Sequence, residues 1–208
     1  MDWSDFVTAF VTLFVTIDPV GTAPLVPALT QGMTQRQRTG VAIRAAVVGA
    51  AILTLFGLTG EAVLRYLGVS LPAFRIAGGL LLFLIAVEML FQKRTERREA
   101  TAESSTRDDP SVFPLAIPFL AGPGAVATMI LLAGRADDAG ELITLHLAML
   151  AAVGIAIPLF MAAGLIERLL GPIGIAVLTR LLGLLVAALA VQFVLSGLLA
   201  AGLAPGPR

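Results

Sequence analysis

Residues 17–24 read IDPVGTAP and residues 117–124 read IPFLAGPG, two helix-breaking stretches set inside apolar runs. Pro19, Pro24 and Pro27 lack an N–H and Gly21 loosens the backbone, so a regular helix cannot run undisturbed through 18–24. Pro118, Gly122, Pro123 and Gly124 create the same difficulty in the second stretch. A half-helix restarting after a break, from Thr22 or Ala23 before Pro24 and from Gly122 before Pro123, exposes unpaired N–H groups and a dipole end worth roughly half a unit charge. Those favour an anion or carboxylate. Carbonyls freed upstream of the break accept from a cation or ammonium group, so the two breaks together form a clamp for a small zwitterion. The candidate binding residues are Asp18, Pro19, Gly21, Thr22, Gly122, Pro123, Gly124 and Thr128. Their small side chains leave room for a ligand with little bulk of its own.

Asp18 is the sharpest of these. An aspartate at mid-membrane costs on the order of 3 kcal/mol, so it needs a partner or a function. It can cap the helix that follows, or it can bind a substrate amine, a coupling cation or a proton, and these roles are compatible. Glu88, near the cytoplasmic end of the third apolar run, is placed where an acid reaches water, with a lesser part in proton or substrate handling also open. Arg44 and Arg75 read as side chains reaching for the nearest interface, and His146 as an interfacial residue.

The elements that must hold these residues follow from composition. The chain has 208 residues, 58% apolar and 13% charged, with a mean hydropathy of +0.95, which is the signature of an integral membrane protein. Six apolar stretches suffice to cross about 30 Å of hydrocarbon, near 6–31, 41–60, 71–91, 112–134, 142–165 and 173–201, the first and fourth carrying the breaks. Helix formers dominate each run, so the expected fold is all-α. The start, MDWSD, lacks the basic region of a cleavable signal, so the first helix is expected to be retained, with Trp3 as an outer interfacial anchor. With no cysteine there is no disulfide or thiolate chemistry, and a net charge of zero gives no argument for nucleic acid.

With the N-terminus outside, ten of the Lys and Arg residues fall on the inner side and only Arg65, Arg75, Arg135 and Arg208 on the outer, so both termini are expected outside. The polar stretch 92–111, QKRTERREATAESSTRDDPS, shows no apolar periodicity and reads as a solvated cytoplasmic linker. It divides the chain into 1–91 and 112–208, with three expected helices in each. An offset of 104 positions sets Pro19 on Pro123, Gly79 on Gly183 and Glu88 on Gln192. An odd number of helices per half places the second copy upside down, as an inverted repeat. Small residues such as Ala45, Gly49, Gly78 and Gly154 suit close helix packing, within one bundle or between the protomers of a homo-oligomer.

Several activities lose their parts. There is no phosphate-cradling glycine loop with lysine, no HExxH, and no serine nucleophile with a base, so ATP drive and intramembrane proteolysis are unsupported and no catalytic or metal-binding residue is named.

The stretches DPVGTAPLVPALT, RIAGGLLLFLIAVEML and PLAIPFLAGPGAVATMI, in this order around a polar linker, resemble the MarC family of bacterial and archaeal membrane proteins over nearly the whole chain. Family members commonly carry Asn-Pro at the first break, where this sequence has Asp18-Pro19. The resemblance implies a six-helix inner-membrane protein within a grouping that includes amino-acid exporters, some archaeal relatives being linked to small neutral amino-acid transport. The expected function is secondary transport of glycine or alanine by alternating access between the halves, coupled to Na+ or H+, without a cofactor. The alternatives are a scaffold or regulatory membrane protein that moves nothing, and a passive small-solute channel. Nothing in these residues points to a drug pocket.

Overall fold

The structure, a computed structural model, describes residues 3–103 and 109–203. Among the described residues every regular element is helical. Helix α1, Trp3–Ile17, ends where Asp18 turns left-handed, with φ 56° and ψ 59°. The Asp18 N–H still donates to the Phe14 carbonyl at 3.0 Å, so α1 is hydrogen-bonded up to the break. Helix resumes at Pro19, earlier than the sequence suggests: α2 covers Pro19–Thr22, a tight turn covers Ala23–Leu25, and α3 covers Val26–Leu29. The reason is local. Asp18 accepts the Gly21 N–H at 3.0 Å, and proline at the first helical position has no N–H left to satisfy.

Helix α4, Gln35–Tyr66, starts at a capping box in which Thr34 and Gln37 satisfy each other's backbone. Its 32 residues extend about 48 Å at 1.5 Å per residue, beyond the hydrocarbon thickness. Helix α5, Leu71–Leu90, is capped by Ser70. The polar stretch departs most from its solvated reading: Lys93–Glu103 form a helix, α6, that turns Arg94 and Arg98 into the protein.

The second broken element opens with Ser111–Leu120, a wide-turned segment whose Leu115 and Ala121 N–H groups donate five residues back, to Pro110 and Ala116. After Ala121 and Gly122 the chain bends by 56° into α7, Pro123–Ala133. Helix α8, Ala139–Met161, is capped by Asp138, and α9, Ala163–Ala200, is kinked at Gly171-Pro172, where Gly171 has φ 61°.

Among the described residues five helical stretches are long and apolar enough to cross a membrane, and the bent pair makes up to six. In the first, Trp3–Leu29, 72% of the apolar window is buried, against 28–39% in the other four, so this element lies in the centre and those four form its wall. Its core packs Leu13, Ile17 and Ala23 against Leu53, Leu120, Met129 and Met149. A second, smaller core joins α5 to α9 through Leu82, Met89, Val186 and Phe193. Along this seam the backbones nearly touch. A Cβ on Gly79 would lie 2.8 Å from the Ala190 carbonyl oxygen and 3.0 Å from the Val194 nitrogen. One on Gly183 would lie 3.4 Å from the Ala86 carbonyl oxygen and 3.5 Å from the Leu90 nitrogen.

Candidate functional site

The site grows out of the end of α1. A helix terminus leaves its last carbonyls without intrahelical partners, and here Thr16, Ile17 and Asp18 are buried. Asp18 adds a full negative charge with no exposure to solvent. Buried groups of this kind need donors. They come from α6: Arg98 donates through Nη1 to Asp18 Oδ2 at 2.8 Å and through Nη2 to the Ile17 carbonyl at 3.4 Å, while Arg94 Nη2 donates to the Thr16 carbonyl at 3.2 Å. The guanidinium carbon of Arg98 also stands 5.7 Å from the ring centroid of Phe119, so one side chain touches both broken elements.

Neither arginine was singled out from the sequence. The sequence carried half of the signal: an intramembrane aspartate requires a cationic partner, but nothing in it picks Arg94 and Arg98 out from the other basic residues. Desolvation, followed by the neighbouring positive charge of Arg98, lowers Arg94 to about 9, which still leaves it cationic at neutral pH.

A cavity of about 230 Å³ opens beside these groups. Its wall combines Arg94, Arg97 and Arg98 with the first turn of α7 at Gly122, Pro123 and Gly124. Gly122 is extended and offers no side-chain cap, so the first N–H groups of α7 lack intrahelical acceptors. Three guanidinium groups and a helix N-terminus make this an electropositive cleft, below the roughly 300–1,000 Å³ of drug-sized pockets. On the opposite flank of α6 lies a cleft of about 360 Å³ lined by Gly21, Glu96, Glu99, Glu167 and Thr179. The helix therefore separates a basic cleft from an acidic one.

Of the residues expected to bind, Gly122, Pro123 and Gly124 line the basic cleft and Gly21 the acidic one. Asp18, Pro19 and Thr22 are buried at the break itself, where the Thr22 hydroxyl donates to the Asp18 carbonyl at 3.0 Å. Thr128, one turn into α7, is buried with its hydroxyl unpartnered. Glu88 pairs through Oε1 with Arg97 at 2.9 Å, and its Oε2 is buried without a partner. Of the other basic residues singled out in the sequence, Arg44 pairs with Asp109 at 3.0 Å, Arg75 donates to the Gly134 carbonyl at 3.2 Å, and the His146 ring meets the Leu142 carbonyl at 2.8 Å.

Comparison with known proteins adds the family context. The profile described as MarC family integral membrane protein matches residues 3–201. The chain is similar to a UPF0056 membrane protein of Methanocaldococcus jannaschii, 36% identical over 202 residues that cover 95% of this chain and 98% of the relative. It is similar also to one from Aquifex aeolicus, 34% identical over 93% of this chain and 92% of the relative, and to one from Escherichia coli, 32% identical over 99% and 96%. No solved structure matches the chain.

Proposed function

The chain belongs to the MarC family of integral membrane proteins, and on that footing we propose that it is a secondary transporter of small neutral amino acids such as glycine or alanine. The observation that carries this reading is the junction of the two breaks: an acidic, carbonyl-rich helix end at 16–18 faces a cation, and a helix N-terminus at 122–124 borders the same small cavity. One end suits an ammonium group and the other a carboxylate. The substrate would lie between Asp18, Pro19, Gly21 and Thr22 on one side and Gly122, Pro123, Gly124 and Thr128 on the other, with Asp18 and Glu88 as the acids able to couple its movement to Na+ or H+.

Alternating access in this scheme rocks 1–91 against 112–208, two inverted three-helix repeats. The α5–α9 seam supports the repeat. Gly79 meets residues 190 and 194, and Gly183 meets residues 86 and 90, so an offset of 104 exchanges each contact for the other. Positions rise along α5 as they fall along α9, so the pair runs antiparallel. Two helices that a two-fold axis exchanges are antiparallel only when the axis crosses them, which in a bilayer means an axis in the membrane plane. Two surface clefts support it too. One is lined by Asp5, Glu141, Thr144 and Leu145, the other by Asp109, Gln37, Gly40 and Val41, and the same offset converts each set into the other. We assign the protein to the inner membrane with both termini outside, and give it no enzymatic activity.

Saturable flux of labelled alanine or glycine into proteoliposomes, driven by a Na+ or H+ gradient, is the test; absence of flux under every gradient would end the transport reading. Because Arg98 fills the first break, a scaffold that moves nothing is the competing reading. It predicts that Asp18→Ala and Gly124→Leu alter stability alone. A channel would give flux without saturation or exchange.

A further inference from the structure

Helix α6 is held down in an unusual way. Its buried residues are Arg94 and Arg98, and no apolar side chain of the helix is buried with them. The hydrophobic effect therefore contributes little to docking, which rests on charge and hydrogen bonds. For buried ion pairs the cost of desolvation offsets much of the attraction, and a withdrawn Arg98 would leave Asp18 unpaired, so such a helix is released readily only when another cation takes over its acceptors. The basic cleft beneath Arg94, Arg97 and Arg98 is already open to a small molecule. Further ties are Arg94 Nη1 to Met89 Sδ at 3.1 Å, Arg98 over the Phe119 ring, and the pair of Arg97 with Glu88, in which the side chains are 62% and 30% exposed.

The acceptors that the arginines occupy form a set: Asp18 Oδ2, the Ile17 carbonyl and the Thr16 carbonyl, all at the negative end of α1. A primary ammonium group has three donors and no acceptor, so it can satisfy the same three oxygens in a smaller volume. We propose that the first break is a cation site whose resident occupant is the chain's own Arg98, and that the ammonium group of an amino acid replaces it as α6 withdraws. The helix is then the inner gate, and its arginine a tethered competitor of the substrate. This rests on the amino-acid reading above and adds to it the atoms that bind the amine and the element that moves.

The chain contains no cysteine, so single cysteines report access cleanly. Ala125 lines the basic cleft and is 2% exposed, so Ala125→Cys should react slowly with a membrane-impermeant thiol reagent applied from the linker side. Alanine at saturating concentration should raise that rate by roughly tenfold, as expected when about 1.4 kcal/mol shifts from docked to withdrawn α6. Propionate, the same molecule without the amine, should leave the rate unchanged. Adding Arg98→Gln should make the site react rapidly with no further response to alanine. If Arg98→Gln alone does not fold, Asp18→Asn with Arg98→Gln removes both charges and should give the same rapid, alanine-independent reaction. Equal rates with and without Arg98, or equal effects of propionate and alanine, would overturn the proposal. An alanine response without flux would keep the cation site and end the transport reading; flux with unaltered access would do the reverse.

Discussion

Asp18 and Arg98 stand 80 positions apart in the chain and 2.8 Å apart in space, with their side chains 0% and 7% exposed. The pair closes the central broken helix with a residue from the polar linker, so a segment outside the spans completes the interior of the protein.

Removing one member leaves the other charged and buried. Asp18→Ala should destabilise by about 3–5 kcal/mol, with roughly 1 kcal/mol more for the lost cap at Gly21. Asp18→Asn keeps the cap acceptor and tolerates the left-handed backbone, so it should fall between wild type and alanine. Thermal unfolding in detergent gives the order; an alanine variant as stable as wild type would remove the pair from the account.

Gly21 tests the same carboxylate from the other side. A Cβ there would lie 2.5 Å and 2.8 Å from the two carboxylate oxygens of Asp18, so Gly21→Ala must displace the acid from Arg98. It should lower alanine flux at least as far as Asp18→Asn does. Gly40→Ala, which meets only the flexible end of Arg44 at 3.3 Å, should transport normally.

At the α5–α9 seam, Gly79→Ala and Gly183→Ala should each cost about 1–3 kcal/mol, the former more because its obstacle is backbone at 2.8 Å. Gly154→Ala on α8 meets nothing within 4 Å and should be neutral or stabilising by about 0.5–1 kcal/mol. Comparable melting temperatures for all three would contradict close packing at the seam.

The Arg44–Asp109 pair is a contrast, with both side chains more than half exposed. Asp109→Asn should shift stability by less than about 1 kcal/mol. Desolvation pulls the other way, but hydrogen bonds from Ser111 and the Arg44 guanidinium hold the Asp109 carboxyl below its ordinary value. A depressed carboxyl contributes fully above its unfolded value and loses that contribution as pH falls through its folded one. The small effect of Asp109→Asn should therefore be constant near neutrality and vanish only in strong acid.

The apolar spans and the bend before Pro123 were legible because long apolar runs and prolines act locally: lipid demands internal hydrogen bonds, and proline cannot make one. Asp18 as a residue in need of a partner was legible for the same reason. The partner was not, because hydropathy averages over a helix and α6 is amphipathic in the sign of its charge instead. Arg94, Arg97 and Arg98 line one cleft while Glu96 and Glu99 line the other, a division that a mean value cannot register. The restart at Pro19 was missed because Asp18 adopts a backbone that non-glycine residues seldom take.

The close approaches of Gly79 to Ala190 and Val194 and of Gly183 to Ala86 and Leu90 lie at separate levels of the α5–α9 seam. Two such keys fix the register of the pair, since sliding one helix along the other would drive both glycines against bulkier neighbours at once.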